Sequence, residues 1–306
     1  VFSHNICQDN LSIKRFGSII MGHLRLSIID LDVRSNQPFL FKNLSIVFNG
    51  EIYNYKNLRS ELNKLGYQFL TESDTEVILV GFYHFGTNFI NKLNGMFAIL
   101  IYDSLVNKIY AFRDRIGVKP LYYSFHEGKF EAASQIQQLN NNGKIDKDAL
   151  VSYYMSGFIP SPFSIYDNIK KLEPGSILEL DLINLNISIS KYWDLEKTPN
   201  KLNSNYKKTK EELENLIEDS VKIRLNTDVP LGTFLSGGID SPIVTHYSNK
   251  HSSTKINSFT IGFKEKSFNE SITAENYSKI IGTIHNEKVV SANDLIEILP
   301  EFLTVY

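Results

Sequence analysis

Hydrophobic positions change their spacing along this chain. Between residues 19 and 135, short apolar runs alternate with turn formers, the spacing of strands, and two helical stretches interrupt them. Residues 44–48 read as a strand ending at Asn49-Gly50, a dipeptide that favours positive φ and so predicts a turn. Leu58, Leu62 and Leu65 share a helical face, and Gly66 follows as a stop. Ser73 and Glu76 stand at capping-box spacing ahead of an inward face of Val77, Ile78, Gly81 and Phe82. Residues 96–102 and 108–112 predict paired strands, and 121–125 and 129–133 flank a turn at Gly128. Mostly antiparallel strands with few helices make an α+β pattern. Residues 135–142 read as a polar loop.

The pattern changes after residues 198–208, a polar tract of turn formers that predicts a linker. Thr209 and Glu212 form a second capping-box pair, with Leu213, Leu216, Ile217 and Ser220 at helical spacing behind it. A strand at 233–235, a glycine loop, a helix from Ser241, a strand at 257–262, a helix at 269–281 and a strand at 286–290 follow. Such βαβαβ alternation predicts a parallel α/β sheet. The expected domains are residues 1–197 and 209–306, joined by that linker.

Two domains suit a chain of 306 residues. Apolar residues at 42% and charged residues at 22% match an ordinary globular protein. A net charge of −2 gives no reason to expect a nucleic-acid partner. The apolar run at 96–102 is far too short to cross a bilayer, so no membrane partner is expected. The single cysteine, Cys7, cannot form an internal disulfide, which fits the reducing cytoplasm. The chain opens on Val1 and breaks off after residues 300–306 without a terminating signal, the expectation being a fragment short at both ends.

The sharpest chemical signal is Ser236-Gly237-Gly238-Ile239-Asp240-Ser241, set between an apolar strand and a helix. Adjacent glycines let successive N–H groups converge, and a helix N-terminus adds its positive dipole end, so the pattern makes an anion site. It has no lysine and is not a Walker A loop. It resembles instead the pyrophosphate loop of enzymes that split ATP between its α and β phosphates. Asp240 reads either as a magnesium ligand on the departing pyrophosphate or as the cap of the helix, where aspartate is common. The bland alternative for the whole loop is a glycine turn without a ligand.

Five further blocks stand in order: GHLRLSIIDLD (22–32), NGEIYNY (49–55), ESDTEVIL (72–79), NGMFAILIYD (94–103) and RDRIGVKPLYY (113–123). With SGGIDS after them, they resemble the class II glutamine amidotransferase and synthetase domains of the asparagine synthetases. The resemblance implies an αββα sandwich of antiparallel sheets, as in the N-terminal-nucleophile hydrolases, followed by a truncated parallel-sheet ATP-pyrophosphatase domain. By that resemblance Arg25 grips the α-carboxylate of glutamine, a task suited to a guanidinium fork. Asn49 and the Gly50 amide hold the oxyanion, and Glu51 and Asp74 hold the amino group. Leu235 and Ile261 lie near adenine or ribose, and Ser236, Gly237, Gly238, Asp240 and Ser241 surround the phosphates. ATP and Mg2+ are the implied cofactors, glutamine and aspartate the small-molecule substrates, and a homodimer is allowed.

Each residue keeps a plainer alternative: a surface arginine, a hairpin turn, a helix-start acid, or core packing for Leu235 and Ile261. His23 reads as structural, and Arg113, Asp114 and residues 117–120 as packing and interdomain surface. The family places its nucleophilic cysteine at the mature N-terminus, where this chain has Val1. Cys7 lies 18 positions before Arg25, and the longer family spacing with its Arg-Gly-Pro-Asp stretch is not found. Cys7 therefore reads as an ordinary cysteine, and the chain by itself is not expected to hydrolyse glutamine. The expected activity is ATP-driven adenylation of aspartate and its amidation with ammonia from glutamine. Amidation of another carboxylate, a β-lactam-forming reaction and a non-catalytic metabolite-binding module stay open as rivals.

Overall fold

The computed structural model describes residues 11–140, 143–195, 205–265, 267 and 269–305; Val1, Cys7 and residues 198–204 of the expected linker lie outside them. Two units divide the chain, Val1–Thr198 and Pro199–Tyr306.

The first unit opens with an antiparallel hairpin, β1 (Leu11–Phe16) and β2 (Ile19–Leu24). Next come β3 (Phe39–Phe41), β4 (Leu44–Ile52), α1 (Tyr55–Lys64), α2 (Asp74–Phe85), β5 (Gly95–Asp103) and β6 (Lys108–Arg113). Then follow β7 (Tyr122–His126), β8 (Lys129–Ala133), α3 (Lys147–Ser156), β9 (Lys170–Lys171), β10 (Ser176–Asp181) and β11 (Asn186–Lys191). A six-stranded sheet of order β11-β10-β6-β5-β4-β3 is antiparallel throughout, and β8-β7-β9 make a second sheet. Strand alternation divides the large sheet between two cores. Ile46, Phe48, Phe97, Ile99 and Ile101 pack with Leu58 and Leu62 of α1 and Val77 and Ile78 of α2. Ala98, Ala111, Leu178 and Leu180 face the other way and pack with Leu121 and Leu172, with Tyr123 and Phe130 of the small sheet against them. Because β5 is covered on both faces, it reads as a continuous apolar run instead of an alternating one.

The second unit holds α4 (Tyr206–Ile223), β12 (Gly232–Phe234), α5 (Asp240–His251), β13 (Asn257–Phe263), α6 (Ser271–Ile281), β14 (Ile284–Val290) and α7 (Ala292–Val305). Strands β12, β13 and β14 pair in that order, all parallel, as the alternating pattern requires. No helix among the described residues is long and apolar enough to cross a membrane.

Several local expectations need correction. Asn49-Gly50 is not a turn: both residues lie inside β4, opposite Ala98 and Phe97 of β5. Ser73 caps α2 through its hydroxyl, but Glu76 does not reciprocate. The Glu76 carboxylate, 1% exposed, accepts instead from Leu70 N, Thr71 N and Thr71 Oγ1. The second expected cap also moves. The helix begins at Tyr206, inside the expected linker, and Asn205, not Thr209, accepts from Lys208 N. Helix α3 and the β10–β11 hairpin were not foreseen, although Asn186–Lys191 alternates apolar and polar residues as a strand does.

Arg113 and Asp114 are the packing residues expected. Arg113 donates to the carbonyls of Lys119, Gly117 and Leu172, and burial lowers its pKa. Asp114, 1% exposed, accepts from Phe97 N, Val118 N and Lys119 N at 2.8–3.1 Å. Asp114→Ala strands these donors, and urea unfolding is expected to show a loss of about 3 kcal/mol; a variant as stable as the parent would refute this account of the loop.

Candidate active site

The glutamine-handling residues expected from the resemblance line one cavity of about 1430 Å³ in the first unit, bounded by β2, β4, β5, β8 and the start of α2. Arg25, Asn49, Gly50, Glu51 and Asp74 all border it.

Strand β4 supplies three of them. Its alternation sends Phe48 into the helix-side core and leaves Asn49 and Glu51 on the opposite face. Asn49 Nδ2 donates to Ser134 Oγ at 3.1 Å, just past β8. Gly50 is glycine for a steric reason. A Cβ there would stand 2.0 Å from Met96 O and 2.8 Å from Phe97 Cα, so no side chain fits without moving β5. Glycine inside a strand marks this kind of close backbone approach.

Arg25 is buried just beyond β2, and its guanidinium is already engaged. Nη1 donates to Asp32 O and Asn36 Oδ1 at 3.0 and 3.1 Å, and Nη2 to Ile29 O at 3.0 Å and to Asp30 O. These bonds wrap residues 29–36 around the arginine. The expected two-donor grip on a substrate carboxylate is therefore not the arrangement seen; a carboxylate would have to take the place of loop carbonyls. Asp30 ties the same loop to the approach of α2: its carboxylate accepts from Ser35 Oγ at 2.6 Å and Glu72 N at 2.7 Å.

Asp74 is the first residue of α2, 6% exposed, and its Oδ2 accepts from Ile52 N at 3.0 Å. Burial pushes its carboxyl up to about 6, against the pull of backbone hydrogen bonds and the Arg25 charge. His23 donates from Nε2 to Phe48 O at 3.1 Å, tying β2 to β4. Burial, and then the Arg25 charge, lowers its pKa, which favours the neutral imidazole. Sequence reasoning missed Gln37, 5% exposed, which accepts from Phe48 N and donates to Thr75 Oγ1, joining β4 to α2. It also missed Ser134 and the bridging by Asp30. Only Asp30 lay within a block that could have signalled it.

In the second unit, the predicted phosphate loop runs from the end of β12 into α5. Ser236 N donates to Ser241 Oγ at 2.9 Å, and the two hydroxyls are also 2.9 Å apart, closing the loop across its mouth. Gly238 N donates to Ser236 Oγ at 3.3 Å. The N-cap of α5 is Ile239, without a side-chain cap, so Asp240 is the first helical residue and not the cap. Leu235 is 3% exposed; its side chain is core, while its carbonyl accepts from Thr260 Oγ1 at 2.7 Å. Ile261 is 57% exposed on β13. Among the described residues no group of three His, Cys, Asp or Glu is gathered for a metal. The oxygens at the loop are those of Asp240, the serines and Glu270, whose Oε2 accepts from Gly237 N. They fit a magnesium ion carried in by phosphates, which needs only one or two carboxylates from the protein.

Residues 7–193 match the family described as a glutamine amidotransferase domain, and residues 212–306 match asparagine synthase. The Bacillus subtilis asparagine synthetase [glutamine-hydrolyzing] 1 is 36% identical over 288 residues, covering 92% of this chain and 45% of that protein. The asparagine synthetase [glutamine-hydrolyzing] 3 of the same organism is 31% identical, with 94% and 50% covered. An amidase, chry2, of Gibberella zeae is 35% identical over 73% of this chain and 34% of its own. This chain spans about half the length of the synthetases it matches. A glutamine phosphoribosylpyrophosphate amidotransferase structure from B. subtilis aligns with a TM-score of 0.42 and 16% identity, over 88% of this chain and 51% of that one. With the first match spanning more than half of its length, the chain belongs to the glutamine amidotransferase domain family, of the kind that runs on into an asparagine synthase segment.

Proposed function

We propose that this chain serves glutamine-dependent synthesis of asparagine, with glutamine bound in the first unit and ATP in the second. The observation that carries the reading is the pairing on one chain of a cavity lined by Arg25, Asn49, Gly50, Glu51 and Asp74 with a glycine loop opening helix α5.

In the cavity, Glu51 and Asp74 receive the α-ammonium of glutamine and Arg25 attracts its α-carboxylate. Asn49 Nδ2 and Gly50 N–H stabilise the oxyanion formed when the side-chain amide is attacked. In the second unit, the amides of residues 236–238 and the positive end of α5 take the β and γ phosphates. Asp240 would hold magnesium, which neutralises charge on the departing pyrophosphate. The aspartate β-carboxylate attacks the α-phosphorus, giving β-aspartyl-AMP and pyrophosphate, and ammonia then displaces AMP. A bare carboxylate is a poor acyl donor, and adenylation supplies the leaving group.

Asp74 gives the glutamine site a pH signature. The free carboxyl ionises near 3.8, the buried one near 6. Stability held by the protonated form is therefore complete below pH 4 and is lost as pH rises through 6, by about 3 kcal/mol at most. Asp74→Asn is expected to flatten this profile in urea unfolding. An ammonium ligand favours the charged form, so glutamine affinity in titration calorimetry should be level above pH 6. Below it, affinity should fall about tenfold per unit. A flat profile down to pH 4.5 would remove Asp74 from the ammonium site.

The phosphate loop has its own test. A Cβ at Gly237 would stand 3.1 Å from Glu270 Cβ and 3.3 Å from Thr273 Cβ, whereas one at Gly238 meets only Ser236 Oγ at 3.5 Å. Gly237→Val and Asp240→Ala should each weaken Mg-ATP binding at least tenfold (about 1.4 kcal/mol) with glutamine affinity unchanged. Unaltered ATP affinity in both variants sinks the loop assignment.

A further inference from the structure

The phosphate loop already carries an anion of the protein's own. Gly237 N donates to Glu270 Oε2 at 3.0 Å, so one of the amides that would meet a phosphate oxygen is bonded to a carboxylate. This contact comes from another element. Glu270 is the N-cap residue of α6, yet its side chain accepts from none of that helix's own amides. Glutamate is not a favoured N-cap residue, and here it reaches across to the loop between β12 and α5. The first turn of α6 is packed close enough to hold it there, with Glu270 Cβ and Thr273 Cβ within 3.3 Å of a Cβ built on Gly237.

We infer that Glu270 is a charge gate on the nucleotide site. In the empty loop its carboxylate stands in for a phosphate oxygen on Gly237 N–H, and it makes the loop reject a bare polyphosphate. An incoming polyphosphate must displace the carboxylate, and the two negative charges then share one small volume at close range. A polyphosphate arriving with a divalent cation meets less repulsion. The cation also offers the displaced carboxylate oxygen-seeking charge in exchange for the lost amide. The gate thus selects the cation-complexed nucleotide over the free one. This inference rests on reading residues 236–241 as the ATP site.

Calorimetric titration of the full chain with inorganic pyrophosphate, in excess magnesium and in EDTA, tests both statements separately. The parent chain is expected to bind at least tenfold tighter with magnesium. Glu270→Gln keeps the shape and an acceptor oxygen but removes the charge. It should bind free pyrophosphate about tenfold tighter than the parent and lose most of the magnesium dependence. Circular dichroism and thermal unfolding of both proteins serve as the folding control. Equal binding by the parent with and without magnesium overturns the gate. So does a Glu270→Gln variant whose free-pyrophosphate affinity is unchanged or weaker, and in both cases the ATP site stands. No binding by either protein under either condition overturns the gate and the ATP site together.

Discussion

The cavity of the first unit rests on a contact between two backbones. Strands β4 and β5 approach so closely that a Cβ on Gly50 would strike Met96 O, and one on Gly95 would strike Glu51 O at 2.2 Å. Two glycines, one per strand, leave this room free. With the strands held so, Asn49 and Glu51 face the cavity, and Ile52 N–H reaches Asp74 at the start of α2. The chemistry proposed for the cavity therefore depends on main-chain placement before it depends on any side chain.

Around that contact, several polar groups withdrawn from water are given backbone partners. Arg25 is wrapped by the carbonyls of residues 29–32, Gln37 bridges β4 and α2, and Asp30 ties the Arg25 loop to Glu72 N. An unpaired buried polar group costs several kcal/mol, so these bonds specify where each segment must lie. Asp74 is the member whose burial outweighs its hydrogen bonds. Burial raises its pKa to about 6.

The second unit solves a different problem. Its loop is exposed, and its amides and hydroxyls are satisfied by Ser236, Ser241 and Glu270 from within. Water can satisfy such exposed groups as well, so these internal bonds are ones that a ligand could replace. The buried cavity holds its polar groups under cover; the exposed loop holds its own by substitutes.

The motifs were local enough to be read along the chain. SGGIDS between a strand and a helix, the βαβαβ alternation behind it and the doubly covered apolar run of β5 all depend on near neighbours in the chain. The misreadings arose at both long and short range. Asn49-Gly50 has the composition of a turn, and only the arrival of β5, more than forty residues later, keeps it extended. Ser73 and Glu76 have capping-box spacing, yet the folded loop at Leu70 and Thr71 captures the glutamate first. The roles of Gln37, Ser134 and Glu270 were invisible because each acts on a partner 11 to 85 positions away. Spacing along a chain records which groups can meet through one helix turn or one strand pleat. Which distant groups share a volume is decided when the sheets close, because burial then makes an unpartnered donor or acceptor costly.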